Sequence, residues 1–451
     1  MASIGTDLTQ GSVGKQLLKF SFPFMLANML QSVYSMVDTI VVGQFVGADG
    51  LSAVSTCGEL IMLYTFIAVG FGGAGQTMIG QSLGSGRRDQ LNRIIGTMFS
   101  VILPLGIVCA VIVFLTVKWQ LALLNLPEEA YQSGLNYTLI CAAGFVFIYG
   151  YNLVSSIMRG MGDSKRPLLF VGIASIMNLI LDLVFVAGFG MGAAGAALAT
   201  VMGQGFSFFC ALVYLYRHRD LLGFDFQPKS FVPDLGIAKS IVKLGIPMAA
   251  QGALIGVSML YVCSLVNEFG VAASAANGIT LKLNSITRIV TMAMSTSSAA
   301  MTAQCIGARD FGRCQKVFAW AMVIDLVFTV LWGLAMLFAP QQIFSIFTSD
   351  AGVLAYATVY SVYGCLDYIA AGIRAPFMGL VNGTGAAGLG LAASIVDGVV
   401  ARIGFSILFG NVLGMGVAGY WLGNLIASNM TTIVVLPYYV SGRWKKKKLL
   451  V

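Results

Sequence analysis

QLLKFSFPFMLANMLQSVYSMVDTIVVGQFVG, residues 16–47, decides the class of this chain. The stretch is long and apolar enough to cross a bilayer, yet it holds Pro23 near one end and Asp38 near the other. An aspartate in hydrocarbon is costly unless it is neutralised, paired, or turned toward water inside a bundle. At roughly 100° per residue, Asn28, Gln31, Ser35 and Asp38 follow one another at steps of three, four and three and lie along one helix face. Phe, Leu, Val and Ile fill the other. Pro23 removes a backbone donor and marks a bend, which gives the helix two packings, so the stretch reads as the moving, cation-sensing element of a transporter.

The composition agrees with a membrane setting. Of 451 residues, 58% are hydrophobic and 10% charged, and the mean hydropathy is +0.87, more apolar surface than a soluble fold can hide. Windows of about 20 residues give twelve candidate spans, at 17–46, 52–83, 94–117, 131–158, 167–188, 194–216, 241–266, 274–305, 317–338, 353–381, 388–409 and 416–439. The expected fold is an all-α polytopic membrane protein. The polar start MASIGTDLTQGSVGK lacks the order of a cleavable signal.

The net charge of +8 is explained by topology. With both ends cytoplasmic, Lys15, Lys19, the 87–93 arginines, the basic loop between segments six and seven and the terminal RWKKKK all fall on one side, and Lys118 alone lies in an outer loop. The basic C-terminus then reads as an anchor to anionic lipid, not as a nucleic-acid tail. The eight cysteines show no CxxC pair and read as small core residues, and His218 sits in a loop, outside any intramembrane relay.

The chain is written twice. At a shift of about 224, LLKFSFP (17–23) meets IVKLGIP (241–247), QSLG (81–84) meets QCIG (304–307), RGMG (159–162) meets NGTG (382–385), and GMGAAG (190–195) meets GMGVAG (414–419). Six spans per copy imply two lobes that enter from the same side, related by a pseudo-twofold axis along the membrane normal, with a cavity between them. The expected division is 1–220 for the first lobe, 221–240 for a cytoplasmic linker and 241–451 for the second. Pro23 persists as Pro247, but the polar face of segment one becomes Gly252, Ile255, Met259 and Val262, while Asn178 and Asp182 become Arg402 and Ser406.

Polar residues present in one copy only need a reason beyond architecture. In segment five, Ser175, Asn178 and Asp182 share a face; in six, Thr200, Gln204 and Ser207; in four, Tyr149, Asn152 and Ser156. Two carboxylates with amide and hydroxyl oxygens suit a proton or a small hard cation such as sodium; the competing reading is a hydrogen-bond network that glues helices. Asn28, Gln31, Tyr34, Ser35, Gln204, Gln251 and Asp367 are candidates for lining a cavity. Lys282, Arg288, Asp325, Asp367, Arg374, Asp397 and Arg402 are expected mostly to pair with one another or to reach an interface. Three GxGxxG matches (190–195, 383–388, 414–419) lack the strand and acid of a dinucleotide site and read as turns. No HExxH or GxSxG appears, so an enzyme is not expected.

Two six-helix halves, MVDTIVVG (36–43), Pro23 fifteen residues before its aspartate, NLILDLVF (178–185) and QxxG before each basic loop together resemble the multidrug and toxic compound extrusion family. The resemblance covers nearly the whole chain. It implies export of organic cations or amphiphiles in exchange for protons or sodium, with no cofactor, from a multi-pass protein of the cell membrane. It further implies a cation site in the first lobe at Asp38, Asn152, Asn178, Asp182 and Thr200, with Pro23 as the hinge. The glutamate that the NorM branch has in segment seven is Ile255 here, so the chain looks closer to the DinF-like branch. A lipid-linked-sugar flippase of the same wider superfamily is the alternative. The expected partners are small cationic or amphiphilic substrates and membrane lipids, with no nucleic acid, and the expected state is a monomer.

Overall fold

The structure, a computed structural model, describes residues 5–124 and 126–450, and every regular element among them is helical. In chain order the long helices are α1 (Val13–Phe45), α2 (Ala48–Gly84), α3 (Leu91–Leu123), α4 (Glu128–Ala143), α5 (Phe145–Gly160), α6 (Lys165–Asp182) and α7 (Gly192–Arg217). They continue with α8 (Leu235–Asn267), α9 (Val271–Gly307), α10 (Phe311–Phe338), α11 (Ala351–Gly383), α12 (Ala387–Ile395) and α13 (Val417–Val440). Among the described residues, nine helices and the bent pair α4–α5 are long and apolar enough to span a bilayer. They coincide with ten of the twelve segments expected. Segments eight and twelve fall on α9 and α13, helices of 37 and 24 residues that are long enough but carry more Ser, Thr and Asn.

The surface fits a lipid solvent. On α10, Val323, Val327, Leu331, Leu334 and Phe338 are exposed at helical spacing, and on α3 so are Ile107, Val108, Val111, Ile112 and Leu115. Such stripes are a liability in water and are satisfied by acyl chains. Lys282 and Arg288, expected to pair or reach an interface, are exposed on α9, and the Lys282 ammonium lies over the Phe347 ring.

The duplication is visible in the backbone. α6 runs on as a π-helix over Leu183–Gly188, and α12 continues through a π-helix at Val396–Ile403, one α turn and a second π-helix at Leu408–Val412. After each, two glycines with positive φ turn the chain into the next helix: Gly190 and Gly192 at 66° and 59°, then Gly414 and Gly416 at 66° and 59°, 224 positions on. A side chain at these dihedrals clashes with its own backbone, so the GMG triplets fix the register of the two copies.

Two compact units share the chain. The first holds residues 5–7 and Phe22–Ala249, the second Leu8–Ser21 and Ala250–Leu450. α1 therefore passes from one unit to the other beside Pro23, and α8 does so three residues after Pro247. Within the second unit, the Arg313 guanidinium grips the lead-in to α1 by donating to the carbonyls of Leu8 (2.9 Å), Gln10 (2.8 Å) and Gly11 (2.8 Å) and to Gln16 Oε1 (2.7 Å). Within the first, the lead-in to α8 is held through carboxylates. Arg93 pairs with Asp234 at 2.6 Å, Asn92 donates to Asp225 at 3.2 Å, and Phe224 and Phe231 close an aromatic cluster on Phe99.

Candidate functional site

The polar face of α1 is not buried as a whole. Gln31 and Ser35 are exposed, Asn28 and Tyr34 are half-buried, and Asp38 alone is buried, at 8% exposure. Across from it, the last residue of α6 is Asp182, 1% exposed. The two carboxyl groups are within hydrogen-bonding range of each other. One oxygen of each, Oδ1, is buried with no hydrogen-bond partner, and among the described residues neither acid has a Lys or Arg in ion-pair range. Two adjacent negative charges in a low-dielectric interior repel strongly, so the pair calls for one shared positive charge, a proton or a monovalent cation.

Polar groups from α6 and α7 complete the shell. In the amide orientation that satisfies both of its neighbours, Asn178 donates to Asp182 Oδ2 at 3.1 Å and accepts from the Thr200 backbone N–H at 3.3 Å. Tyr34, Ala174, Asn178, Thr200, Gly203 and Gln204 line a cavity of about 180 Å³ beside the acids. Six of the sequence-derived candidates, Tyr34, Asp38, Asn178, Asp182, Thr200 and Gln204, are thus brought together.

Asn152 is placed differently. Its amide donates to the Ile148 carbonyl of its own helix at 2.8 Å, and it makes no hydrogen bond to either acid. The cause is a 48° bend that splits the fourth span into α4 and α5. At the break, a Cβ on Gly144 would sit 2.3 Å from a Val201 methyl, so only glycine permits the close approach to α7. The bend turns α4, not α5, toward the acids. Tyr137 and Cys141, buried on α4 close enough to Asp38 to feel its charge, are the residues that sequence reasoning missed. Their i, i+4 spacing on an apolar stretch was the available signal, and it was indistinguishable from core packing.

Other candidates fall in the second unit. Gln251 is buried and donates to the Ala387 carbonyl at 3.3 Å, a helix contact that lines neither cavity described here. Asp367 lines a cleft of about 470 Å³ with Tyr360, Tyr363, Tyr420, Trp421 and Asn424. Arg374 does not meet Asp367 directly but pairs with Asp397 at 3.2 Å, which Arg402 also contacts at 2.7 Å. Asp325 is an exception to the pairing expected of most of these charges: it is fully buried, and among the described residues neither carboxyl oxygen has a hydrogen-bond partner.

The MatE family model matches residues 23–184 and again 247–408, two blocks offset by 224 and together most of the chain. The chain belongs to the MatE family. The double match fixes the two copies in the register that the GMG turns show. Among relatives of this MatE protein are the "probable multidrug resistance protein" YpnP of Bacillus subtilis strain 168, 29% identical over 98% of both chains, and YoeA of the same strain, 27% identical over 97% of this chain and 96% of its own. An outward-facing multidrug resistance MATE family transporter of the MOP superfamily shares the fold, with a TM-score of 0.90 at 21% identity over 99% of each chain. The MatE chain is thus an all-helical membrane protein whose family relatives and structural neighbours are transporters.

Proposed function

We propose that this protein is a secondary antiporter of the cell membrane, with both termini cytoplasmic, that exports amphiphilic or cationic small molecules in exchange for a proton or a sodium ion. The acid pair Asp38–Asp182, each with a buried orphan oxygen, carries the reading. The named activity of the relatives, multidrug resistance, supports the substrate class. Asp38 and Asp182 hold the ion, Asn178 and Thr200 orient them, and Asn152 enters the site when α1 bends at Pro23. The glutamate-free segment seven, with Ile255, supports the DinF-like branch, and the repeat supports two lobes at 1–220 and 241–451 joined by 221–240.

The mechanism follows from charge. An empty pair carries two negative charges that hydrocarbon disfavours; occupying it removes the penalty and favours one packing of α1, and release on the other side restores the first. An entering charge gains about 2.3 kcal/mol per 100 mV, enough for roughly a 50-fold gradient of an uncharged substrate. Exchange for a monocation is electroneutral and draws on the ion's concentration gradient alone. In proteoliposomes under an imposed sodium or pH gradient, Asp38→Asn is expected to reduce efflux of a fluorescent organic cation to the level of empty vesicles. Normal ion-driven efflux by that variant overturns the reading.

A further inference from the structure

We propose that Arg402 is a tethered cation: its guanidinium permanently fills, in the second unit, the position that the first unit leaves for a mobile ion. The argument starts from the register. The 224-residue offset places Asn178 on Arg402, Thr200 on Asn424, Gln204 on Ser428 and Asp182 on Ser406. The contacts obey the same correspondence. Asn178 lies against Thr200, 3.4 Å from its hydroxyl, and Arg402 donates to Asn424. That contact of the first site is kept in the second, with a fixed positive charge where an amide stood.

The surroundings have also been exchanged. Asp182 has given way to Ser406, packed so tightly on α13 that a Cβ on Gly423 would sit 2.5 Å from its backbone nitrogen. Negative charge arrives instead from positions that are apolar in the first copy. Asp397, fully buried, accepts from Arg402 at 2.7 Å, from Arg374 at 3.2 Å and from the Thr431 hydroxyl at 3.0 Å. Asp367 accepts from Asn424 at 3.0 Å and keeps one buried oxygen without a partner. Oxygens of Asp397, Asp367, Asn424 and Thr431 thus lie around or next to a single guanidinium, a donor set that suits a hard monovalent cation once that group is gone.

The inference rests on the cation-site reading of the first unit, and the experiment separates the two. In the Asp38→Asn/Asp182→Asn background, Arg402→Asn restores the first unit's residue at that position. Melting of the purified protein is compared in sodium chloride and in choline chloride at equal ionic strength. Sodium is expected to raise the Tm of the Arg402→Asn protein by at least about 2 °C, with no rise for Arg402→Lys, which keeps its own cation. A folded Arg402→Asn protein that melts alike in both salts overturns the proposal. Should Arg402→Asn not fold, Asn178→Arg in the otherwise native chain decides: it is expected to melt no lower than the native protein and to lose ion-driven efflux. Unfolding, or retained efflux, overturns the proposal. If Asp38→Asn alone leaves ion-driven efflux intact, the first-unit reading falls, while the sodium response at position 402 stands on its own.

Discussion

Two copies of one helical hairpin, α6–α7 and α12–α13, solve the same problem in opposite ways. In the first unit, Asp38 and Asp182 face each other with no fixed positive charge in range, and Asn178 and Thr200 stand beside them. In the second, the equivalents of Asn178 and Thr200 are Arg402 and Asn424, and the guanidinium donates to Asp397, which also accepts from Arg374. One site has carboxylates with no fixed positive charge in ion-pair range among the described residues; the other holds fixed charges of both signs in contact. The two copies share a scaffold, and a few side chains decide which of them holds a fixed positive charge.

The contrast is broken most decisively by removing one acid from each site. Asp182→Asn should fold like the native protein and lose ion-driven efflux almost completely. Asp397→Asn should instead leave the Arg402 charge buried without its partner, destabilising the protein by about 3–5 kcal/mol while the folded fraction keeps its ion coupling. Melting curves read together with efflux per folded molecule test both, and equal loss of coupling in the two variants would abolish the distinction.

A finer cut falls within the second site. The Arg402 side chain is 3% exposed and that of Arg374 is 25%. Arg402→Met should therefore cost more stability than Arg374→Met, about 3–5 kcal/mol against about 1 kcal/mol, because water can partly replace only the second. Equal losses on thermal melting would mean that Arg374, not Arg402, anchors Asp397.

The smallest effect separates the two lead-in grips. The Ser230 hydroxyl holds Asp225 below the ordinary carboxylate range, and the Ile237 backbone N–H, followed by Gly236 and Arg93, does so for Asp234. A depressed carboxylate contributes stability above its unfolded pKa and loses it as pH falls through the folded one. Below about pH 4, amide protection over 224–237 should drop, measured as hydrogen-exchange protection factors corrected for intrinsic rates. Protection over 8–16, where Arg313 binds three carbonyls and a glutamine, should not change. Parallel loss in both segments would place the acid-sensitive groups elsewhere.

Spacing alone shows which residues of the candidate site share a face on each helix. Asp38, Asn178, Asp182 and Thr200 lie on straight α-helical stretches, where a 3.6-residue period predicts who shares a face, and the structure brings them together. Tyr137 lies nearer Asp38 than the face that carries Asn152 suggested, because the fourth span is broken by 48° at Gly144 and a wheel drawn on one half says nothing of the other. Asp397 and Arg402 were invisible as a pair for a related reason. Five residues apart, they diverge on an α-helix, but the π-helix at Val396–Ile403 brings i and i+5 together.

The sequence by itself determined that this chain is helical, lives in a bilayer, is duplicated at an offset of 224 and carries acids in one copy that the other lacks. Those properties follow from composition and periodicity, which act along the chain. Tertiary structure decided which buried charges meet: it joined Asp38 to Asp182, gave Arg374 to Asp397 rather than Asp367, and left Asp325 without a partner. Charge pairing in a low-dielectric interior depends on ångström distances between helices, and bends, π-turns and close glycine contacts set those distances where no periodic pattern records them.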